Sequence, residues 1–279
     1  MSKKESQVSR LADDILMLSH LEPASDRVSW LAPGARGFEP YNEYLIRHGD
    51  KTLLLDTGVA LHGEQLIASL KELVGSRELI IFITRIELDC IGNLGRVLDH
   101  FRDAQVVTAN VVPPIGLVHV SAGTTPRTAI HIPMGSTLER FGFGDITINE
   151  APIRMLGTSW PWHATSRTLF TTDFFCNDLC PTADTPAVRH DAEGRDSPQD
   201  IRRRLLRKFD WLENADTTVL EELWRALFDR IDPLALAPTQ GRVQSGKDLV
   251  CQVIEDYEVA IFRRAEGEHA RQRVNTEAG

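Results

Sequence analysis

The chain has 279 residues, 42% of them hydrophobic and 25% charged, the balance of an ordinary globular protein. Forty acidic against 31 basic residues leave a net charge of −9, which argues against general nucleic-acid binding. No apolar run approaches the roughly 18 residues of a membrane span, and the polar start MSKKESQVSRLADD lacks the apolar core of a signal peptide, so a cytoplasmic protein with no membrane partner is expected. The four cysteines, Cys90, Cys176, Cys180 and Cys251, are too few and too scattered for a disulfide framework and are expected to be thiols.

Along the chain, the apolar patch Leu11 to Leu18 suits one helical turn or an edge strand. Val28 to Leu31 and Tyr44 to Arg47 read as strands by alternation and β-propensity. Gly49-Asp50, with Thr52 to Leu55 returning, is a hairpin signal. Gly63 to Leu73 is an amphipathic helix. Ile80-Ile81-Phe82-Ile83 is the short continuous apolar run of a strand covered on both faces. After it come Arg85, Glu87 and Asp89 on alternate positions, then Gly92-Asn93, and then Leu94, Val97, Leu98 and Phe101 at helical spacing. A strand that ends in a charged loop at a helix start is where α/β proteins place their chemistry.

Ala104 to Ala109 suits the next parallel strand, Ser121 to Arg127 a loop, Leu138 to Ile153 a hairpin, and Arg167 to Thr172 a strand ending at Asp173. Trp160-Pro161-Trp162-His163 reads as a loop, and Ala183 to Pro198 as an exposed one. Helices are expected over Gln199 to Glu213, Thr217 to Arg230 and Lys247 to Arg264, with a short strand at Leu234 to Pro238. Arg202-Arg203-Arg204 with Arg207 and Lys208 reads as a solvated helix face that an anionic partner could use.

Three segments carry a resemblance. Thr84-Arg85-Ile86-Glu87-Leu88-Asp89-Cys90-Ile91-Gly92-Asn93 is similar to the Thr-His-x-Glu-x-Asp-His-x-Gly-Asn signature of the metallo-β-lactamase superfamily, in the form used by flavodiiron and related oxygen-binding diiron proteins. Pro40-Tyr41-Asn42-Glu43-Tyr44-Leu45-Ile46 resembles the Tyr-Asn-x-Tyr-Leu motif of the same family, and Leu54-Leu55-Asp56-Thr57-Gly58 its Leu-x-Asp-Thr-Gly motif. The resemblance runs from about Tyr41 to about Phe262 and implies a four-layered αβ/βα sandwich, the metallo-β-lactamase fold. One domain over residues 1–265 is expected, followed by a disordered tail over 266–279. Flavodiiron proteins carry a flavodoxin domain after this core; no flavin site is expected here.

The family holds two irons with histidines and carboxylates, one aspartate bridging. Carried over by resemblance, Glu87, Asp89 and the bridging Asp173 are kept, while Arg85 and Cys90 stand in place of the first two histidines. Gly157 best matches the third, within Arg154 to Thr158, and Gln240 of Pro238-Thr239-Gln240-Gly241 the fourth. A guanidinium cannot donate a lone pair to a metal, but it can fill the vacated space and pair with Glu87 and Asp173. The other position keeps Asp89, Cys90 and Asp173 with Gln240, so the expectation is one iron or zinc ion, or none. Against this, Glu87 and Asp89 read equally as salt-bridged remnants, Cys90 as a small buried hydrophobe, and Cys176 and Cys180 as ordinary thiols near Asp173. His163 is the histidine nearest a site loop, a replacement ligand or general base, or an ordinary loop residue.

Two functions follow from the resemblance. One is a protein with a depleted metal site acting as a redox or gas sensor or as an interaction subunit. The other is a metal-dependent hydrolase or oxidoreductase with a rebuilt one-metal site, working beside a metal-competent relative. Either admits a small-molecule ligand and a homo- or hetero-oligomer with a related subunit.

Overall fold

The computed structural model describes residues 7–24, 31, 34–118, 128–153, 157–176 and 178–262. Two seven-stranded sheets pack face to face with helices outside both. The first sheet runs in chain order, β1 Gln7–Arg10, β2 Ile15–Pro23, β3 Phe38–His48, β4 Lys51–Leu55, β5 Glu78–Ile83, β6 Gln105–Thr108 and β7 Ile130–His131. Its first four strands are antiparallel neighbours and β4 to β7 are parallel. Parallel pairing requires crossovers; α1 Gly63–Val74 supplies the one before β5, and α2 Leu88–Ile91 with α3 Leu94–His100 the one before β6.

The second sheet contains β8 Thr137–Leu138, β9 Phe143–Glu150, β10 Ser159–His163, β11 Thr168–Thr172, β12 Val188–Arg189, β13 Ala235–Pro238 and β14 Val243–Ser245, in the order β12-β14-β13-β11-β10-β9-β8. Outside it lie α4 Pro198–Lys208, α5 Thr218–Arg230 and α6 Lys247–Phe262.

The two-residue period of a strand explains why three layers of core form. On β5, Ile80 and Phe82 face the other sheet, while Leu79, Ile81 and Ile83 face the helices. Leu53 and Leu55 against Leu54, and Met17 against Leu16 and Leu18, divide the same way. The central core therefore joins Ile80, Phe82 and Tyr44 to Ile146, Ile148 and Phe170 of the second sheet. An outer core seats α1 through Leu66, Ile67, Leu70 and Val74, at i, i+1, i+4 and i+8. The third packs Trp160 and Leu169 against Trp224 of α5 and Leu249, Val253 and Tyr257 of α6. Burial of each large apolar side chain contributes roughly 1.5–3 kcal/mol of transfer free energy.

Most of the expected elements are present within a residue or two, including the Gly49-Asp50 hairpin joining β3 to β4. The Leu11 to Leu18 patch is neither a helical turn nor an edge. It enters β2, an internal nine-residue strand in which Ile15 to Ser19 are all buried. Trp160-Pro161-Trp162-His163 is strand β10, not loop. Its proline sits opposite Ile148 on β9, with β11 on the other side pairing only at Trp162 and His163, so no ladder bond is needed from Pro161. Ala183 to Pro198 contains the bridge strand β12 and the buried Arg189. The expected strand at Val28, the loop at Ser121 to Arg127, residues Arg154 to Leu156 and the tail over 266–279 lie outside the described residues. No described helix is long and apolar enough to cross a membrane.

Candidate functional site

The pocket forms where β4, β5, β11 and β13 all end, because each strand hands its next residue to the same crevice. After β5, Thr84 closes onto the end of β4: its amide and hydroxyl donate to the two oxygens of Asp56, at 2.9 and 2.5 Å. The carbonyl of Thr84 accepts from the Ser159 amide at the start of β10, tying the two sheets together. Thr239, after β13, donates to the carbonyl of Thr172 at the end of β11, and its own carbonyl accepts from Asn42 on β3. The Tyr-Asn motif is thus a clamp, with Asn42 Nδ2 donating to the carbonyls of Pro238 and Gly241.

The acidic loop is built by its glycine and asparagine. A Cβ on Gly92 would lie 2.6 Å from the Leu88 carbonyl, 2.7 Å from the Ala60 nitrogen and 2.8 Å from the Gly58 carbonyl. Those are backbone atoms of two adjacent loops, and they have nowhere to move. Asn93 Nδ2 then donates to the carbonyls of Thr57 and Val59. These contacts fix the turn that projects Arg85, Glu87 and Asp89.

Arg85 is only 4% exposed. One guanidinium nitrogen contacts Asp89 Oδ2 and another contacts Asp173 Oδ2; Glu87 Oε1 stands farther off, at 3.8 Å. Lys208 Nζ, from the last residue of α4, reaches Asp173 Oδ2 at 2.6 Å and donates to the Asp173 carbonyl at 3.0 Å. Gln240 Nε2 donates to Asp89 Oδ2 at 3.4 Å. Burial works against the Arg85 cation, but the surrounding acidic groups, Asp173, Asp89 and Glu87 among them, outweigh it and hold its pKa above the usual range. Together these side chains floor an open cavity of about 350 Å³, with Leu88 at its rim.

Five expected residues therefore meet in one cavity: Arg85, Glu87, Asp89, Asp173 and Gln240. The expected partners of Arg85 change. Asp89 takes the close contact and Glu87 is a half-exposed rim residue, because Glu87 is extended while Asp89 lies in the turn of α2 that follows it. Cys90 is fully buried behind the loop, where its sulfur lies 4.0 Å from the Thr84 hydroxyl. Burial, with Asp56 and Asp89 adding to it, pushes its thiol well above the ordinary range. Gly157 stands behind Thr84, where a Cβ would lie 2.5 Å from Asn110 Oδ1. Cys176 donates its thiol proton to the Asp173 carbonyl at 3.0 Å; its pKa is raised by burial, and that of Cys180 is pushed by burial up to about 11.

His163 is not in this cavity. It ends β10 four residues beyond Ser159, about 13 Å at strand rise, with Nε2 facing Asp145 at 2.9 Å and Asp14 at 3.2 Å. The strand geometry of Trp160 to His163 carries it to the opposite rim. Lys208 is the site residue that sequence reasoning missed. Ile201 and Leu205 are the buried residues of α4, and Lys208 follows them at i+7 and i+3, on the inward stripe. That spacing was the available signal.

No family model matches the sequence, and no curated protein matches it. Solved structures do. The metal-soaked flavodiiron core of Flv1 from Synechocystis sp. PCC6803 superposes with a TM-score of 0.70 at 18% identity, over 92% of this chain and 61% of that one. Rubredoxin oxygen:oxidoreductase from Desulfovibrio gigas gives 0.63 at 16% identity, over 91% and 61%. A fragment, residues 1–254, of a diflavin flavoprotein from Nostoc sp. PCC 7120 gives 0.67 at 15% identity, over 92% and 96%. The chain has the fold of these flavodiiron cores, the αβ/βα sandwich of the metallo-β-lactamase type, and spans about three fifths of the length of the first two.

Proposed function

We propose that this chain is a flavodiiron-type core in which two side-chain cations replace the metal centre, and that it works by binding, as an interaction subunit. The observation that carries this reading is the guanidinium of Arg85 seated against both Asp89 and Asp173, with Lys208 on Asp173 as well. The donor set does not fit the two irons of the resembling family. The partly buried Asp89 and the buried Asp173 are each engaged by a cation, Glu87 is turned to the rim, and the Cys90 proton is held tightly by burial. A metal seated between the two aspartates would have to displace the buried guanidinium. The one-metal alternative, hydrolase or oxidoreductase, needs these same carboxylates with the Cys90 thiolate, and is the weaker reading for that reason.

Of the two non-catalytic roles, the interaction subunit is favoured over the sensor. Gas sensing would need iron, and redox sensing at this cavity would need a thiolate, whereas the thiols near it, Cys90, Cys176 and Cys180, are all buried with raised pKa values; the exposed Cys251 lies on α6, outside the cavity lining. The cavity still offers recognition chemistry. Its rim carries the half-exposed Glu87 carboxylate as an acceptor, so a small ligand carrying N–H or O–H donors suits it. A related subunit is the proposed partner.

The test is metal uptake by the chelator-treated protein from iron, manganese and zinc, compared between wild type and the Asp89→Asn/Asp173→Asn double variant. Equal uptake by the two supports the reading. Uptake that disappears in the double variant would place a metal on those aspartates and end it.

A further inference from the structure

The geometry points to a second, independent site: a divalent-cation site at the opposite rim of the sandwich, formed by Asp14, Asp145 and His163. One ligand atom from each lies within 4.8 Å of the others. They come from three places in the fold, the residue before β2 in the first sheet and strands β9 and β10 in the second, so a bound ion would staple one sheet to the other.

Three observations carry this beyond a cluster of acidic groups. First, the imidazole is built in. His163 is 1% exposed, and Ser166 holds Nδ1 through its hydroxyl at 2.7 Å and, more weakly, its amide at 3.3 Å. The Ser166 hydroxyl is bonded in turn to Thr168 Oγ1 at 2.9 Å, so the ring is held by a short hydrogen-bonded chain. Nε2 is therefore the nitrogen that faces the two carboxylates, and an outer hydrogen-bond partner on the other ring nitrogen is what orients metal-ligating histidines.

Second, the spacing fits. Two ligands each about 2.1 Å from a common ion stand about 3.0 Å apart at a right angle and about 3.4 Å apart in a tetrahedron. The Nε2 to Oδ2 separations are 2.9 Å for Asp145 and 3.2 Å for Asp14. Third, the charge is unbalanced. Among the described residues neither carboxylate has a lysine or arginine partner; besides facing His163 Nε2, Asp145 Oδ2 accepts a neutral hydroxyl proton from Thr165 at 2.7 Å. An imidazolium would leave one negative charge over, whereas a divalent ion balances both. The half-exposed carboxylates leave an approach from solvent. One imidazole and two carboxylates, with room for water, suit zinc or a neighbouring first-row divalent ion.

The experiment uses the full chain without a histidine tag, stripped by chelator and titrated with zinc, uptake and melting temperature being read together. Wild type should take up one zinc per chain and melt higher with it. Asp14→Asn and Asp145→Asn alter half-exposed groups that leave the core intact, and each should weaken zinc binding by about tenfold or more. Asp89→Asn, in the other pocket, should bind as wild type does. Absence of saturable uptake at roughly millimolar zinc, with His163 then simply hydrogen-bonded between two carboxylates, would overturn the assignment. So would wild-type affinity in both Asp14→Asn and Asp145→Asn.

Discussion

An arginine buried against two carboxylates differs in kind from one on the surface. Surface ion pairs contribute about 0–1 kcal/mol, whereas removing one partner of a buried pair typically costs about 3–5 kcal/mol, because the remaining charge is left without compensation. Arg85→Ala would leave Asp89 beside Asp173 with Lys208 as the remaining cation on them among the described residues, so we expect a loss of roughly 3 kcal/mol, the lower end of that range. The loss should be larger at neutral than at acid pH, since protonating a carboxylate removes the repulsion that the mutation exposes. Chemical denaturation of both proteins at two pH values measures it; a change under about 1 kcal/mol at both would mean that Arg85 behaves as a surface residue. That Arg85 cannot ligate a metal was legible from chemistry, since a guanidinium has no lone pair to give, whereas its standing at a ligand position is what the resemblance implies. Its preference for Asp89 over Glu87 was not, because it depends on Leu88 to Ile91 coiling into a helical turn. Nor was the displacement of His163, which follows from a proline-containing segment pairing as a strand.

At the scale of elements, the junction of β4 with β5 carries its own pH dependence. Asp56 is fully buried, and burial lifts its carboxyl from the usual 3.8 to about 7, although the two Thr84 hydrogen bonds pull the other way. The folded state therefore holds a proton between about pH 4 and 7 that the unfolded chain has released. This contribution is fully present below pH 4 and is lost as the pH rises towards 7, a change on the order of 4 kcal/mol. Asp56 also sits at φ 59°, a left-handed conformation that asparagine tolerates comparatively well. Asp56→Asn should consequently gain on wild type as the pH is raised from 4 to 7 in urea unfolding. A stability difference that stays constant across that range would refute the protonation account. Element positions of this kind were largely readable, because β5, α1 and α6 have clean periodicity. The inward turn of Lys208 needed the third residue of a stripe that reads as merely basic.

For the whole molecule, the sandwich was foreshadowed by ordered motifs from Tyr41 to Gly241, whose residues act as loop clamps more than as chemistry. What the motifs could not carry was the distribution of charge between the two rims: one with cations inserted among carboxylates, the other with carboxylates around an imidazole. The two rims are opposites in their chemistry. A crystal of the full chain soaked in iron, manganese or zinc, with anomalous scattering collected at each metal's absorption edge, tests that contrast most directly. The account expects Arg85 to remain between Asp89 and Asp173 with no anomalous peak there, and the zinc peak to fall among Asp14, Asp145 and His163. A peak within coordination distance of Asp89 or Asp173, with the Arg85 guanidinium swung out of the cavity, would contradict it.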